Sequence, residues 1–161
     1  MKKFSWFILA LLIILLDQGS KHWALASLSP YQPEPVIPML NLTLAYNTGA
    51  AFSFLSNAGV WHKWFFVLFS LGMSIFLTVW IIRSPSSAHL QLTALTLILG
   101  GALGNLVDRV VLGYVIDFID VYYHHYHWPV FNLADCAISL GALLLFIDFL
   151  KNQAADSGLS E

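Results

Sequence analysis

Charge is what this chain has least of. Asp, Glu, Lys and Arg make up 10% of its 161 residues, against about 25% in an ordinary soluble domain. Side chains this poor in charge cannot clothe a water-soluble fold. The formal net charge of −2 gives no electrostatic case for nucleic acid or an acidic partner. Cysteine is nearly absent: with Cys136 alone no intrachain disulfide can form, and the redox compartment stays open. Lys and Arg are missing altogether from residues 26–62 and 113–128, and no internal repeat is visible.

What is present is apolar material in long blocks: 58% of residues are hydrophobic, and mean hydropathy is +0.74. A bilayer crossing needs about 20 mainly apolar residues, and four blocks qualify, at roughly 4–25, 64–82, 90–112 and 129–150. The sequence therefore predicts an all-α membrane protein of four transmembrane helices forming one domain over 1–151, with a polar tail at 152–161. Lys2 and Lys3 precede the first block, Arg83 separates the second from the third, and Lys151 follows the fourth. By the positive-inside rule both termini and the 83–89 connection are cytoplasmic, and the two Lys/Arg-free connections face outward. The N-terminus mimics a secretory signal peptide, with Ala24-Leu25-Ala26 as its cleavage site. Asp17 and Lys21 interrupt the stretch just before that site, so the helix is expected to be retained.

The few polar residues inside these blocks are the informative ones. Asp17 and Lys21 stand four apart on one helical face, the acid on the favourable side. Ser29–Pro38 holds four prolines and reads as an extended connection. Leu40–Tyr46 alternates as a half-buried strand, Asn47-Thr48-Gly49 reads as a turn, and Ala50–Leu55 resumes the pattern. A small extracytoplasmic β region between the first two helices is expected. The second block has no ionisable residue between Trp64 and Ile82 and reads as scaffold. In the third, Gly100 and Gly104 form a close-approach pair, and Gly101, Asn105 and Asp108 form one stripe ending in an expected Asp108–Arg109 ion pair. The fourth is expected to open at Trp128-Pro129, with Asn132, Asp135 and Ser139 on an inward face and Cys136 as a small buried thiol. Tyr122–His127 lacks metal-ligand spacing and reads as interfacial, so no metal is expected.

The stretch from Gly100 to Asp135 concentrates four aspartates and one arginine. Alternating helix direction puts Asp17, Lys21, Asn105, Asp108, Arg109, Asn132 and Asp135 in the outer third of the membrane. Polar groups from three helices at one depth imply a shared site, since each is costly facing lipid. Two neighbouring carboxylates cannot both ionise: one keeps a proton while the other acts as base, the logic of aspartic proteolysis. Asp117 and Asp135 flank the second outer connection and are the expected pair. Asp120 is the weaker candidate.

Five motifs carry a resemblance to a known family: Asp17-Gln18-Gly19-Ser20-Lys21, Asn47-Thr48-Gly49-Ala50-Ala51-Phe52, Gly104-Asn105-Leu106-Val107-Asp108-Arg109, Val115-Ile116-Asp117-Phe118 and Phe131-Asn132-Leu133-Ala134-Asp135. In order and spacing the chain resembles the bacterial lipoprotein signal peptidases, also called signal peptidase II, over nearly its whole length before Lys151. No functional position departs. The resemblance implies an intramembrane aspartic endopeptidase that cuts a prolipoprotein just before its diacylglyceryl-modified cysteine, without metal or organic cofactor. It implies that Asp117 and Asp135 are catalytic. Asp17, Lys21, Asn47, Asn105, Asp108, Arg109 and Asn132 are implied as site-supporting, and Gly101 joins them from the polar stripe of its own helix. It further implies a multi-pass enzyme of the bacterial inner membrane, surrounded by lipid, acting near the outer face, inhibited by the cyclic peptide globomycin and expected as a monomer. Two rivals remain on the residues alone. A proton-coupled carrier would use the same acids as relays but predicts internal repeats; an assembly or lipid-binding protein leaves the paired acids idle.

Overall fold

The computed structural model describes residues 3–49 and 60–157. In chain order it holds α1 (Lys3–Ser27), β1 (Glu34–Ile37), β2 (Leu40–Asn47), α2 (Val60–Arg83), α3 (His89–Val111), β3 (Val115–Tyr123), β4 (Tyr126–His127) and α4 (Leu133–Ser157). All four helices are long and apolar enough to cross a membrane. Their outward faces carry Leu11, Leu15, Phe65, Phe69, Leu143 and Phe146, all well exposed, where a soluble protein would show charge. Half of the apolar window of α3 is buried against protein, compared with 22% or less for the other three, so α3 is the post around which the bundle is built.

Glycine sets the closeness of that packing. A Cβ on Gly100 would strike Ile13 of α1 and one on Gly104 would meet the Asp17 carboxylate at 2.5 Å. Gly101 and Gly141 do the same for α3 against α4, lying on the backbone carbonyls of Ala134 and Ala94. The expected close-approach pair Gly100/Gly104 therefore faces α1. Gly101 serves α4 instead.

The β region is larger than the sequence suggests. Its expected part is present as β2, and Glu34–Ile37 of the proline-rich connection pairs with β2 as an edge strand, where missing N–H donors cost least. The second outer connection adds β3 and β4, giving an antiparallel sheet in the order β1-β2-β3-β4. Val115–Tyr123 is rich in β-branched and aromatic residues, and its buried Ile116 and Phe118 join Ala24, Leu28 and Leu44 in a cluster that seats the sheet on the end of α1. Gly113, at φ +89, ends α3 and sends its amide back to the carbonyls of Asp108 and Arg109, a left-handed cap that suits glycine. Lys63, in the first turn of α2, donates to the Val110 carbonyl at 3.2 Å and so meets the negative end of α3.

Two expectations need correction. The fourth helix starts at Leu133 rather than near Pro129, and it continues to Ser157 through the first part of the expected tail. Cys136 is exposed rather than buried, because its position lies about 100° round the helix from Asp135. The strand expected at Ala50–Leu55 lies outside the described residues.

Candidate active site

The polar residues collect where the C-terminal ends of α1 and α3, the start of α4 and strand β3 meet. Lys21 lies at the centre, fully buried. Its ammonium has three N–H donors and three acceptors: Asp17 at 2.8 Å, Asp108 at 2.9 Å and the Asn105 side-chain oxygen at 2.8 Å. A lysine so placed is tolerable only because every donor is matched. Asp17 extends the network to α4 by accepting the Ala134 backbone N–H at 2.9 Å, at the helix end that favours negative charge.

Asp108 pairs with Lys21, not with Arg109 as the sequence suggested. It also accepts Gln18 Nε2 at 2.8 Å and the Ile116 backbone N–H at 3.1 Å. Adjacent helical residues do not face one another, so the two side chains diverge. Arg109 donates to the Asn105 carbonyl at 3.3 Å and lies over the Phe66 ring, 5.5 Å from its centre. The charges of Asp135 and Asp117 act on it ahead of that of Asp108.

Asn132 links the remaining two carboxylates. It is the N-cap of α4: its Oδ1 accepts the Asp135 backbone N–H at 2.9 Å, and Asp135 Oδ2 accepts the Asn132 backbone N–H at 3.3 Å, a reciprocal capping box with aspartate in the glutamate's place. The same Asn132 donates from Nδ2 to Asp117 Oδ1 at 2.6 Å. Asn105 Nδ2 holds Asp135 Oδ1 at 2.8 Å, and Asn47 Nδ2 holds Asp117 Oδ2 at 2.9 Å. Apart from Gly101 and Asp120, the expected site residues form one bonded array. Gly101 lies at the α3–α4 contact and lets α4 come close.

Asp117 is 2% exposed. Burial drives its pKa up, the Asn47 and Asn132 hydrogen bonds and the Lys21 charge oppose that, and the nearby Asp135 charge adds to it; the result is a group pushed up to about 6. Asp120 follows another course. Burial again raises it, but hydrogen bonds from His127 (2.7 Å), Thr43 (2.9 Å) and Asn41 (3.3 Å) prevail and hold it below the usual carboxylate range. Asp120 is thus a clasp between strands.

A β-bulge separates these two fates. Asn41 faces Asp120 and Ala45 faces Asp117, with the register shifting by one residue in between. Side chains alternate between the faces of a strand, and a one-residue shift exchanges them. Asn41 and Thr43 therefore reach Asp120 on one face while Asn47 reaches Asp117 on the other. Gln18, not among the site residues expected from the sequence, also belongs to the array. It bridges Asp108, the Gly104 carbonyl and, at 3.4 Å, Asp17; an amide beside a buried acid in an apolar span was the available signal.

The family described as signal peptidase (SPase) II matches residues 9–151. The chain is 50% identical over 153 residues to a lipoprotein signal peptidase of Cellvibrio japonicus, covering 95% of this chain and 90% of that one. It is 51% identical over 150 residues to that of Acinetobacter baumannii strain ATCC 17978, covering 92% and 85%. A bacterial membrane enzyme solved by the in meso method at 2.3 Å superposes with a TM-score of 0.82 at 32% identity, covering 94% of this chain and 90% of that one. Matched from its first transmembrane helix to the end of its fourth, this chain belongs to the signal peptidase II family.

Proposed function

We propose that this protein is an intramembrane aspartic endopeptidase which removes the signal peptide from diacylglyceryl-modified prolipoproteins, cutting before the lipidated cysteine. Asp117 and Asp135 are its catalytic residues. The observation that carries the reading is that one buried residue, Asn132, holds both carboxylates, while their other hydrogen-bond partners are the neutral amides of Asn105 and Asn47. Among the described residues no cation forms an ion pair with either acid, so the pair is free to share a proton.

Asp117, buried and pushed up to about 6, is the proton holder. Asp135, in the first turn of α4, sits where negative charge is favoured and acts as base. The base takes a proton from water as that water attacks the scissile carbonyl; the acid protonates the carbonyl oxygen, and the proton then passes to the leaving amine. The two titrations belong to the pair. The active site faces the outer side of the bacterial inner membrane, both termini are cytoplasmic, and the enzyme works as a monomer.

Arg109, beside Phe66 and within the field of both acids, supports substrate rather than clamping the pair. The test is cleavage of a synthetic diacylated precursor by the purified protein, with products mapped by mass spectrometry. The expected result is a single cut before the modified cysteine, blocked by globomycin. A carrier would instead move solute across proteoliposomes and leave the precursor whole.

A further inference from the structure

At the end of the bundle away from the carboxylates, α2, α3 and α4 enclose a cavity of about 500 Å³. Its lining is mostly apolar, with Trp80, Ile98, Phe146 and Phe149, but includes Gln91, Asp148 and Asn152. Among the described residues Asp148 is the sole acid of the four apolar spans, the fourth being Leu133–Gln153, outside the site described above. Asn152, one turn along the helix, donates to it at 3.2 Å. No Lys, Arg or His among the described residues lies within ion-pair distance. Lys151, only three residues along the helix, is exposed and makes no ion pair with it. A half-buried carboxylate at the foot of an apolar groove is thus left with its charge unmatched.

The cavity also has a fixed relation to the carboxylate pair. Asp135, Ala142 and Phe149 recur every seven residues along α4, and Phe146 falls between the last two, so part of the groove's apolar lining shares the face of Asp135, while Asp148 borders the groove from about 140° round the helix. From Asp135 to Asp148 the helix rises by about 20 Å. Signal peptides have an apolar region of about 7–15 residues preceded by a positively charged one. As a helix, that apolar region covers about 10–22 Å. A precursor whose apolar region is near the long end of that range, with its scissile bond at Asp135, brings its basic end to the depth of Asp148.

Resting on the function proposed above, we propose that this groove receives the apolar helix of the precursor and that Asp148 pairs with a Lys or Arg of its basic end. The residue is a specificity determinant remote from the chemistry. Binding energy gained there positions the scissile bond without entering the bond-breaking step, so it acts on KM rather than kcat.

The experiment uses the full-length protein in lipid nanodiscs and two synthetic diacylated precursors, identical except that two lysines of the basic end are replaced by glutamines. The protein as it stands should cleave both with equal kcat but with KM about three- to fivefold higher for the glutamine precursor. Asp148→Asn should abolish that difference. Asp148→Lys should reverse it toward a precursor with two glutamates at the same positions, a gain that a folding defect cannot produce. Equal KM for both precursors with the unaltered protein, or a lysine preference that survives Asp148→Asn, would overturn the proposal. So would equal KM accompanied by an Asp148-dependent requirement for an aminolipid, which would give the carboxylate to a lipid ammonium. Failure to cleave either precursor would instead refute the peptidase reading itself.

Discussion

Two pairs of aspartates lie at one end of this bundle, and what separates them is the company they keep. Asp17 and Asp108 close on a single buried lysine at 2.8 and 2.9 Å. Asp117 and Asp135 are held by asparagines. An ammonium between two carboxylates holds both electrostatically and ties α1 to α3. An amide offers hydrogen bonds but no charge, so the carboxylate it holds remains able to take up and release a proton. On the function proposed above, the same side chain is a bolt in one pair and a reagent in the other. The neighbouring residue decides which.

Neutralising each pair in turn should break the molecule in different ways. Asp117→Asn and Asp135→Asn should each lower precursor cleavage by about 10⁴-fold or more, measured as initial rate with purified protein, while thermal unfolding in detergent changes little. The sign supports this for Asp117: its folded pKa is raised to about 6, so its stabilising contribution is present when protonated and is lost as pH rises through that value. Above it, asparagine removes a buried charge that the fold disfavours.

Lys21→Met should do the reverse to the other pair. Two carboxylates lose their shared cation, and unfolding stability should fall by about 3–5 kcal/mol, with activity lost as a consequence. Equal unfolding midpoints for Lys21→Met and the unaltered protein would erase the distinction between the pairs. Asn132→Ala is the finer cut. It removes the α4 cap, worth about 1 kcal/mol, and releases both catalytic carboxylates at once, so the fall in kcat, about 10²-fold, should be out of proportion to the loss of stability.

This contrast was half legible in the sequence. Asp17, Lys21, Asn105 and Asp135 are conspicuous because an ionisable or amide group within an apolar span has few reasons to be there, and helical spacing shows which of them share a face. Partnership was harder to read. Asp108 and Arg109 are adjacent in the chain and opposite in charge, yet helix geometry turns them apart, and the true partner lies 87 positions away at Lys21. Residues 115–123 are too short a run to separate strand from loop by periodicity alone, and the bulge that sends Asn47 to Asp117 leaves no mark in the alternation of β2. Asn132 was expected inside a helix. Its role as cap, and hence its hold on both carboxylates, depends on the helix starting at the very next residue.

The central claim is that Asp117 and Asp135 work with one proton between them. It is tested most directly by the pH dependence of kcat/KM for a diacylated precursor in the unaltered protein. The rate should fall on both sides of a maximum, and the alkaline limb, tracking loss of the proton held by Asp117, should bend near pH 6 and drop about tenfold per pH unit beyond it. A rate that stays level from about pH 5 to pH 8 would mean that no shared proton is used, and the account would fail.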